Sequence, residues 1–215
     1  MINRLITFGD SYTYGDELQN RLESAWPILV ANKFNLELKN LGWPGYSNDI
    51  ILEKVVDEKI TKNDIAIVCF SSFQRMYFED KKGWFTTIPN IKQISETRND
   101  ITKNLFATLS IDWLYQRWLK QVIYLQTYFK YHKINYLFFV ANHAHNNYGL
   151  YYSKYQNLTD LIDLTYFPGW PEVTFETLTW HLPRGEFKHP LEDSHKVFAG
   201  VISENIVQIF NLTKN

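Results

Sequence analysis

Short apolar runs rich in Ile, Val, Leu and Phe alternate along the chain with longer amphipathic stretches. The runs cover residues 4–8, 35–41, 64–71 and 134–141. Runs of strand length with few polar positions are typical of strands that are buried on both faces of a parallel sheet. The pattern therefore predicts βαβ units and a parallel sheet covered by helices.

The stretches between several of these runs repeat apolar residues at three- and four-residue steps, which predicts helices. Helical patterns lie at 26–34, from Ser47 or Asn48 onward, at 112–132 and at 194–210. Two segments, at about 74–109 and 143–188, fit the alternation poorly, because the first is mostly polar and the second carries several prolines and aromatic residues. Such long connections are often functional, so we interpret both as excursions from the sheet.

Length and charge indicate one domain, residues 1–215, with no overall charge bias. The chain has 22 basic and 23 acidic residues and a net charge of -1, so it offers no sequence-wide electrostatic case for nucleic acid or an anionic membrane surface. The first residues lack the apolar segment of a signal peptide, and no run approaches the roughly 20 residues of a membrane span. We therefore expect a cytoplasmic protein with a small-molecule partner; its oligomeric state is not predicted.

Four segments at the ends of predicted elements carry candidate chemistry. Gly9-Asp10-Ser11 follows the first strand, NLGWPGYSND the second and FSSFQR the third, and GEFKHP precedes the last helix. Ligands of α/β sheets bind beyond the carboxyl ends of the strands. A serine there becomes a nucleophile when a histidine, oriented by a carboxylate, accepts its proton. By itself, the first segment fits a plain capped turn better than a nucleophile.

Three of these segments together resemble the GDSL esterase/lipase group, also called the SGNH hydrolases. Ser11 matches their serine, and Gly45 matches the glycine of their second block. His189-Pro190, followed by His195 and Ala199, is similar to their C-terminal block. The resemblance spans residues 9–199 and implies a three-layer α/β/α sandwich with a mainly parallel, five-stranded sheet of flavodoxin-like strand order.

The resemblance also implies a serine esterase that works through a covalent acyl-enzyme. In this mechanism Ser11 attacks the ester carbonyl, His189 is the base, and Glu186 stands where the group has an aspartate that orients the histidine. The backbone N–H groups of Ser11 and Gly45 bind the oxyanion. No metal and no organic cofactor is needed.

The third segment departs from the group, whose usual asparagine supplies a third oxyanion donor. Here the chain has Ser71 and Ser72, and we take Ser72 as the replacement, with Gln74 and Asn142 as alternatives. Loss of one such donor costs on the order of 10²–10³ in rate. An inactive binding or structural protein that kept the fold is therefore an alternative.

Two choices concern histidines. An alternative base is His195, with Glu192 as its carboxylate, but that assignment leaves His189-Pro190 unmatched, and we reject it. His143 and His145 alternate as metal ligands sometimes do, yet no Cys or carboxylate accompanies them, so we predict no metal site.

The candidate pocket residues lie close to these blocks: Trp43, Asn48, Arg75, Asn142 and His143. The sequence has no extended apolar lid that would suggest a long-chain lipid. We therefore favour a short-chain ester or an O-acetylated carbohydrate, and an acyltransferase would use the same residues.

Overall fold

A four-stranded parallel sheet forms the centre of the structure. The computed structural model describes residues 2–81, 83–87, 96–142 and 148–213. Within them the strands are β1 (Arg4–Phe8), β2 (Glu37–Asn40), β3 (Asp64–Phe70), β4 (Met76–Asp80), β5 (Gly83–Thr87) and β6 (Asn135–Val140). The central sheet has the order β2-β1-β3-β6, with every pair parallel. This flavodoxin-like order confirms the predicted fold, although the described sheet has four strands rather than five.

The helices lie between and after these strands. They are α1 (Ser11–Tyr14), α2 (Arg21–Ser24), α3 (Trp26–Phe34), α4 (Asn48–Asp57), α5 (Glu96–Thr108), α6 (Ile111–His132), α7 (Tyr148–Lys154), α8 (Gln156–Thr159), α9 (Phe175–Thr179) and α10 (Glu192–Phe210), with a 3₁₀ turn at Leu164–Tyr166. The four predicted helices correspond to α3, α4, α6 and α10. In the described part of the chain, none of the helices combines the length and the apolar character that crossing a membrane requires.

Two apolar layers cover the faces of the sheet. All seven residues of β3 are buried, and successive side chains point to opposite faces. Ala66, Val68 and Phe70 pack with α4 and α6, whereas Ile65, Ile67 and Cys69 pack with α3 and α10. This arrangement confirms the three layers expected from the sequence.

The two predicted excursions contain structure of their own. Strands β4 and β5 form an antiparallel hairpin, and its Trp84 ring contacts the Tyr46 ring with centroids 6.0 Å apart. The hairpin therefore lies beside the loop that follows β2. In the second excursion, Trp170 packs on Trp118 of α6 at a centroid distance of 5.8 Å, which fixes that segment to the core.

Candidate active site

Ser11 lies where β1 ends and α1 begins. The Asp10 side chain caps α1, because its Oδ1 accepts a hydrogen bond from the Tyr12 N–H at 3.1 Å. Asp and Ser residues favour such turns, since their side chains replace the missing backbone partners at a helix start. Ser11 is 6% exposed. The strand thus delivers this serine to the carboxyl edge of the sheet, where the sequence analysis expected it.

His189 lies against the segment that follows Ser11. Its ring contacts the Tyr12 ring, with centroids 5.9 Å apart. Its Nδ1 is 2.8 Å from Glu17 Oε2, and its Nε2 is 3.9 Å from Asp16 Oδ2. An ionised carboxylate only accepts hydrogen bonds, so we assign the proton to Nδ1, which leaves the Nε2 lone pair free.

The Glu17 carboxylate binds the turn that carries His189. Its Oε1 accepts from the Phe187 N–H at 2.9 Å, and its Oε2 accepts from the His189 N–H at 3.0 Å. Burial raises the pKa of Glu17, but these two backbone bonds and the His189 ring outweigh it and leave the pKa below its usual range. Glu17 is therefore ionised at neutral pH.

Glu186, the carboxylate expected to orient His189, is an exposed residue in the structure. The hydrogen bond at His189 Nδ1 goes to Glu17 instead, which lies 172 positions away along the chain. Glu17 was not among the residues predicted from the sequence. The available signal was a pair of acidic residues, Asp16 and Glu17, directly after the serine segment.

The loop after β2 holds Gly45 in the left-handed region, with φ of 83°. A Cβ at Gly45 would meet only Thr86 Oγ1, at 3.7 Å, so the backbone conformation and not crowding favours glycine here. Among the described residues, neither the Ser11 N–H nor the Gly45 N–H donates a hydrogen bond. Both predicted oxyanion donors are thus free for a ligand.

A buried polar network lies behind these two residues. Arg75 Nη1 is 3.2 Å from Asp10 Oδ2, 3.1 Å from the Tyr46 carbonyl and 2.9 Å from Ser71 Oγ. Ser71 Oγ in turn donates to Asp10 Oδ2 at 2.6 Å. Arg75 therefore joins the residue before Ser11 to the residue after Gly45. Its side chain is mostly buried in an ion pair with Asp10, and Ser71 is committed to the same network.

Asn48, a predicted pocket residue, holds the carboxyl end of β3 in place. Its Oδ1 accepts from the Ser71 N–H at 2.9 Å, and its Nδ2 donates to the carbonyls of Ser71 and Ser72 at 3.0 and 3.2 Å. The Asn48 amide thus binds the backbone of the third candidate segment, FSSFQR. Because both of its polar atoms are used in this way, Asn48 positions the loop in this structure.

The remaining predicted residues lie at the same edge of the sheet or outside the described residues. Ser72 is buried, and its Oγ accepts from the Gln74 N–H at 3.3 Å, which leaves the hydroxyl proton to be directed elsewhere. Asn142 lies two residues after the end of β6, and within the described residues its buried Oδ1 has no hydrogen-bond partner. His143 and His145 lie outside the described residues. Among the side chains that the structure describes, no three His, Cys, Asp or Glu groups converge as a metal site would require.

His195 is a buried residue of α10. Its Nδ1 accepts from the Trp26 N–H at 3.0 Å. Burial lowers the pKa of His195 to about 3, and the Arg184 charge adds to this effect while the Pro190 carbonyl opposes it. The carboxylate of Glu192 accepts from the Gln19 N–H at 3.1 Å. These contacts give His195 a structural role and support His189 as the base.

A groove of about 330 Å³ lies between α1, α2, the start of α3, β2 and the loop after β2. The half-exposed Trp43 ring contacts the Tyr14 ring at a centroid distance of 5.2 Å, and the Arg21 guanidinium lies 4.1 Å above the Tyr14 ring. The groove therefore presents aromatic faces and one cation. Its lining comprises Tyr14, Arg21, Leu22, Ala25, Ile28, Leu38, Asn40, Gly42 and Trp43.

Comparison with solved structures finds this fold in esterases. The chain is similar to a psychrotrophic esterase from Pseudoalteromonas sp., with a TM-score of 0.56 and 12% identity over 97% of this chain and 99% of that one. It is also similar to a family 2 carbohydrate esterase with a carbohydrate-binding domain from Corynascus thermopiles, with a TM-score of 0.60 and 9% identity over 97% of this chain and 67% of that one. For an acetyl xylan esterase from Butyrivibrio proteoclasticus, the TM-score is 0.52 and the identity is 11%, over 99% of this chain and 66% of that one.

At these identities the similarity shows the fold, and it is the fold that the resemblance to the GDSL/SGNH hydrolases implies. No protein-family model matches the sequence, and no curated protein sequence matches it.

Proposed function

We propose that this protein is a serine hydrolase that cleaves esters through an acyl-enzyme formed on Ser11. The observation that carries the proposal is His189, which lies against the helical turn of Ser11 with its Nδ1 on a carboxylate. A histidine oriented in this way has a free Nε2 that can accept a proton. The esterase names of the fold neighbours support the same reaction class.

In the proposed reaction, the Ser11 oxygen forms a bond to the ester carbonyl carbon while its proton moves to His189 Nε2. The carbonyl oxygen becomes an oxyanion, and the free N–H groups of Ser11 and Gly45 donate to it. His189 then returns the proton to the alcohol as the ester C–O bond breaks. Water, deprotonated by His189, attacks the acyl-enzyme and releases the acid and the free serine.

Arg75 supports the oxyanion site, which lacks the usual asparagine. Its guanidinium contacts Asp10 and the Tyr46 carbonyl, the neighbours of the two backbone donors. Because the Asp10 carboxylate compensates the Arg75 charge, the proposed role of Arg75 is to hold together the two segments that carry the backbone donors. Ser72 is the proposed third donor, because its hydroxyl proton is not fixed by the bond that it accepts.

The proposed substrates are short-chain esters and O-acetylated carbohydrates. Two of the fold neighbours are a carbohydrate esterase and an acetyl xylan esterase by name. The groove beside α1 offers the Trp43 and Tyr14 rings, and amphipathic aromatic faces suit a small ligand with apolar and polar sides. Its lining does not include Ser11, Gly45 or His189, so the groove supports binding of part of the substrate near the site and not the reacting ester itself. A panel of short-chain nitrophenyl esters and acetylated sugars tests this class. Faster turnover of long-chain esters than of acetates would contradict it.

Labelling with a fluorophosphonate probe, followed by intact mass measurement and peptide mapping, tests the reaction. We expect one adduct on Ser11 in the wild type, none in Ser11→Ala and a labelling rate at least about 100-fold lower in His189→Ala. His195→Asn is the matched control and should label at close to the wild-type rate. A wild-type protein that resists the probe would contradict the proposed function, and loss of labelling only in the His195 variant would contradict the assignment of the base.

A further inference from the structure

We infer that Glu17, rather than Glu186, is the positioning residue that orients His189. The inference rests on the proposed function for its catalytic meaning, but the contacts that carry it belong to the structure. The Glu17 carboxylate accepts three hydrogen bonds, from the Phe187 N–H, the His189 N–H and His189 Nδ1. One side chain therefore fixes both the backbone and the ring of the histidine.

The Glu17 backbone adopts a conformation that supports this role. Its φ is 65°, in the left-handed region that residues other than glycine rarely adopt. Such conformations persist when surrounding contacts over-determine them, and they are concentrated at functional sites. At Glu17 the surrounding contacts are the hydrogen bonds to Phe187 and His189. The conformation and the contacts thus point to the same purpose, the placement of this carboxylate.

The chain on the other side of the contact is shaped to admit the carboxylate. A Cβ at Gly185 would lie 2.5 Å from Cδ and Oε1 of Glu17, closer than real Cβ atoms approach. The Gly185 N–H donates to the His189 carbonyl at 3.0 Å, and the Lys188 N–H donates to the Gly185 carbonyl at 3.0 Å. Gly185 therefore closes the turn that carries His189 and leaves room for Glu17 within it.

Asp16 gives the arrangement a second carboxylate on the opposite side of the ring. Its Oδ2 lies 3.9 Å from His189 Nε2 and accepts no hydrogen bond from His189 while that nitrogen is unprotonated. When His189 holds the proton of Ser11, the imidazolium lies between Asp16 and Glu17. Asp16 is more than a third exposed, so water screens its attraction, and Glu17 carries most of the orienting role.

The first test compares Glu17→Gln with Glu186→Gln, a matched pair that removes one negative charge at each position. With the fluorophosphonate probe, we expect the labelling rate of Glu17→Gln to fall by on the order of 10²–10⁴, since an unsupported histidine samples the wrong tautomer and orientation. Glu186→Gln should remain within about threefold of the wild type. Circular dichroism of both variants verifies that they are folded.

The second test reads the tautomer of His189 without any reaction. In ¹⁵N-labelled wild-type protein at pH 7.5, we expect the protonated ring nitrogen of His189 to be Nδ1. In Glu17→Ala we expect Nε2 to be protonated in a large part of the population. A wild-type His189 protonated at Nε2 would overturn the inference, and this measurement needs only the wild-type protein if the variants fail to fold.

Failure of the proposed function and failure of the inference about Glu17 would give different results. A wild type that labels normally, with a slow Glu186→Gln and a fast Glu17→Gln, would leave the proposed function standing and overturn the role of Glu17. A wild type that does not label would contradict the proposed function, whereas protonation at Nδ1 would still support the contact between Glu17 and His189.

Discussion

The burial of His195 predicts a specific loss of stability in acid. This histidine is neutral in the folded protein, because burial lowers its pKa from the ordinary value of 6.5 to about 3. Below pH 6.5 the unfolded chain binds a proton at this position and the folded chain does not. The contribution of neutral His195 to the free energy of unfolding is therefore fully present above pH 6.5, and it decreases as the pH falls towards 3.

The magnitude follows from the distance between the pH and the unfolded pKa. Each unit corresponds to about 1.4 kcal/mol, so at pH 4.5, two units below 6.5, the titration of His195 lowers the free energy of unfolding by about 3 kcal/mol. Replacement of His195 by Asn keeps an oxygen near the position of Nδ1, where it accepts from the Trp26 N–H, and removes the titration.

Urea unfolding at pH 7.5 and pH 4.5, monitored by tryptophan fluorescence, measures this contribution. Other groups titrate in both proteins, so the difference between the wild-type loss and the His195→Asn loss isolates His195. We expect the wild type to lose about 3 kcal/mol more than the variant between the two pH values. Equal losses in the two proteins would refute the argument and would mean that His195 is accessible to protons in the fold.

Two further predictions concern the buried ion pair and a helix end. Arg75→Met leaves the buried Asp10 carboxylate without its cation and should lower the free energy of unfolding by about 3–5 kcal/mol. Lys39→Met removes the more exposed ion pair with Glu58 and should lower it by under about 1 kcal/mol. Urea unfolding of both variants measures the two effects, and equal effects would contradict the prediction. Lys133 caps the end of α6 in the left-handed region, with φ of 56°, which glycine adopts at lower cost than lysine. Lys133→Gly should therefore raise the free energy of unfolding by roughly 1 kcal/mol. An unchanged or lower melting temperature would count against this prediction.

The fold was predictable because its signals are local. Buried runs such as β3 contain few polar residues, and α6 repeats its apolar side chains over 22 residues, so both elements follow from periodicity. The four apolar runs correspond to the four strands of the described central sheet, and the fifth strand was an expectation from the family resemblance, not from the hydrophobic pattern. Pairing partners are tertiary information that short patterns do not contain.

The site was predictable only in part. Ser11, Gly45 and His189 each stand at the end of an element, where local patterns and the family resemblance both apply. Glu17 was not predictable, because its role depends on a left-handed backbone conformation and on a turn 172 positions away. The family resemblance favoured Glu186, because it stands at the aspartate position of the C-terminal block, but a match in spacing does not decide which side chain reaches a ring nitrogen.

The buried network around Arg75 shows how the structure accommodates a changed third block. Where the family resemblance implies an asparagine, this chain has Ser71 and Ser72, and the Ser71 side chain binds Asp10 and Arg75. Asn48 then holds the backbone at the end of β3. The polar residues of this edge are thus largely used to fix the loops, and the free backbone N–H groups of Ser11 and Gly45 carry the proposed oxyanion contacts.

The most direct test of the account is a crystal structure of the protein after reaction with a fluorophosphonate. The account predicts a covalent bond from Ser11 Oγ to phosphorus and a phosphoryl oxygen within hydrogen-bond distance of the Ser11 and Gly45 N–H groups. His189 Nε2 should face the adduct, with Nδ1 still on Glu17. An adduct on another residue, or a phosphoryl oxygen directed away from Gly45, would contradict the account.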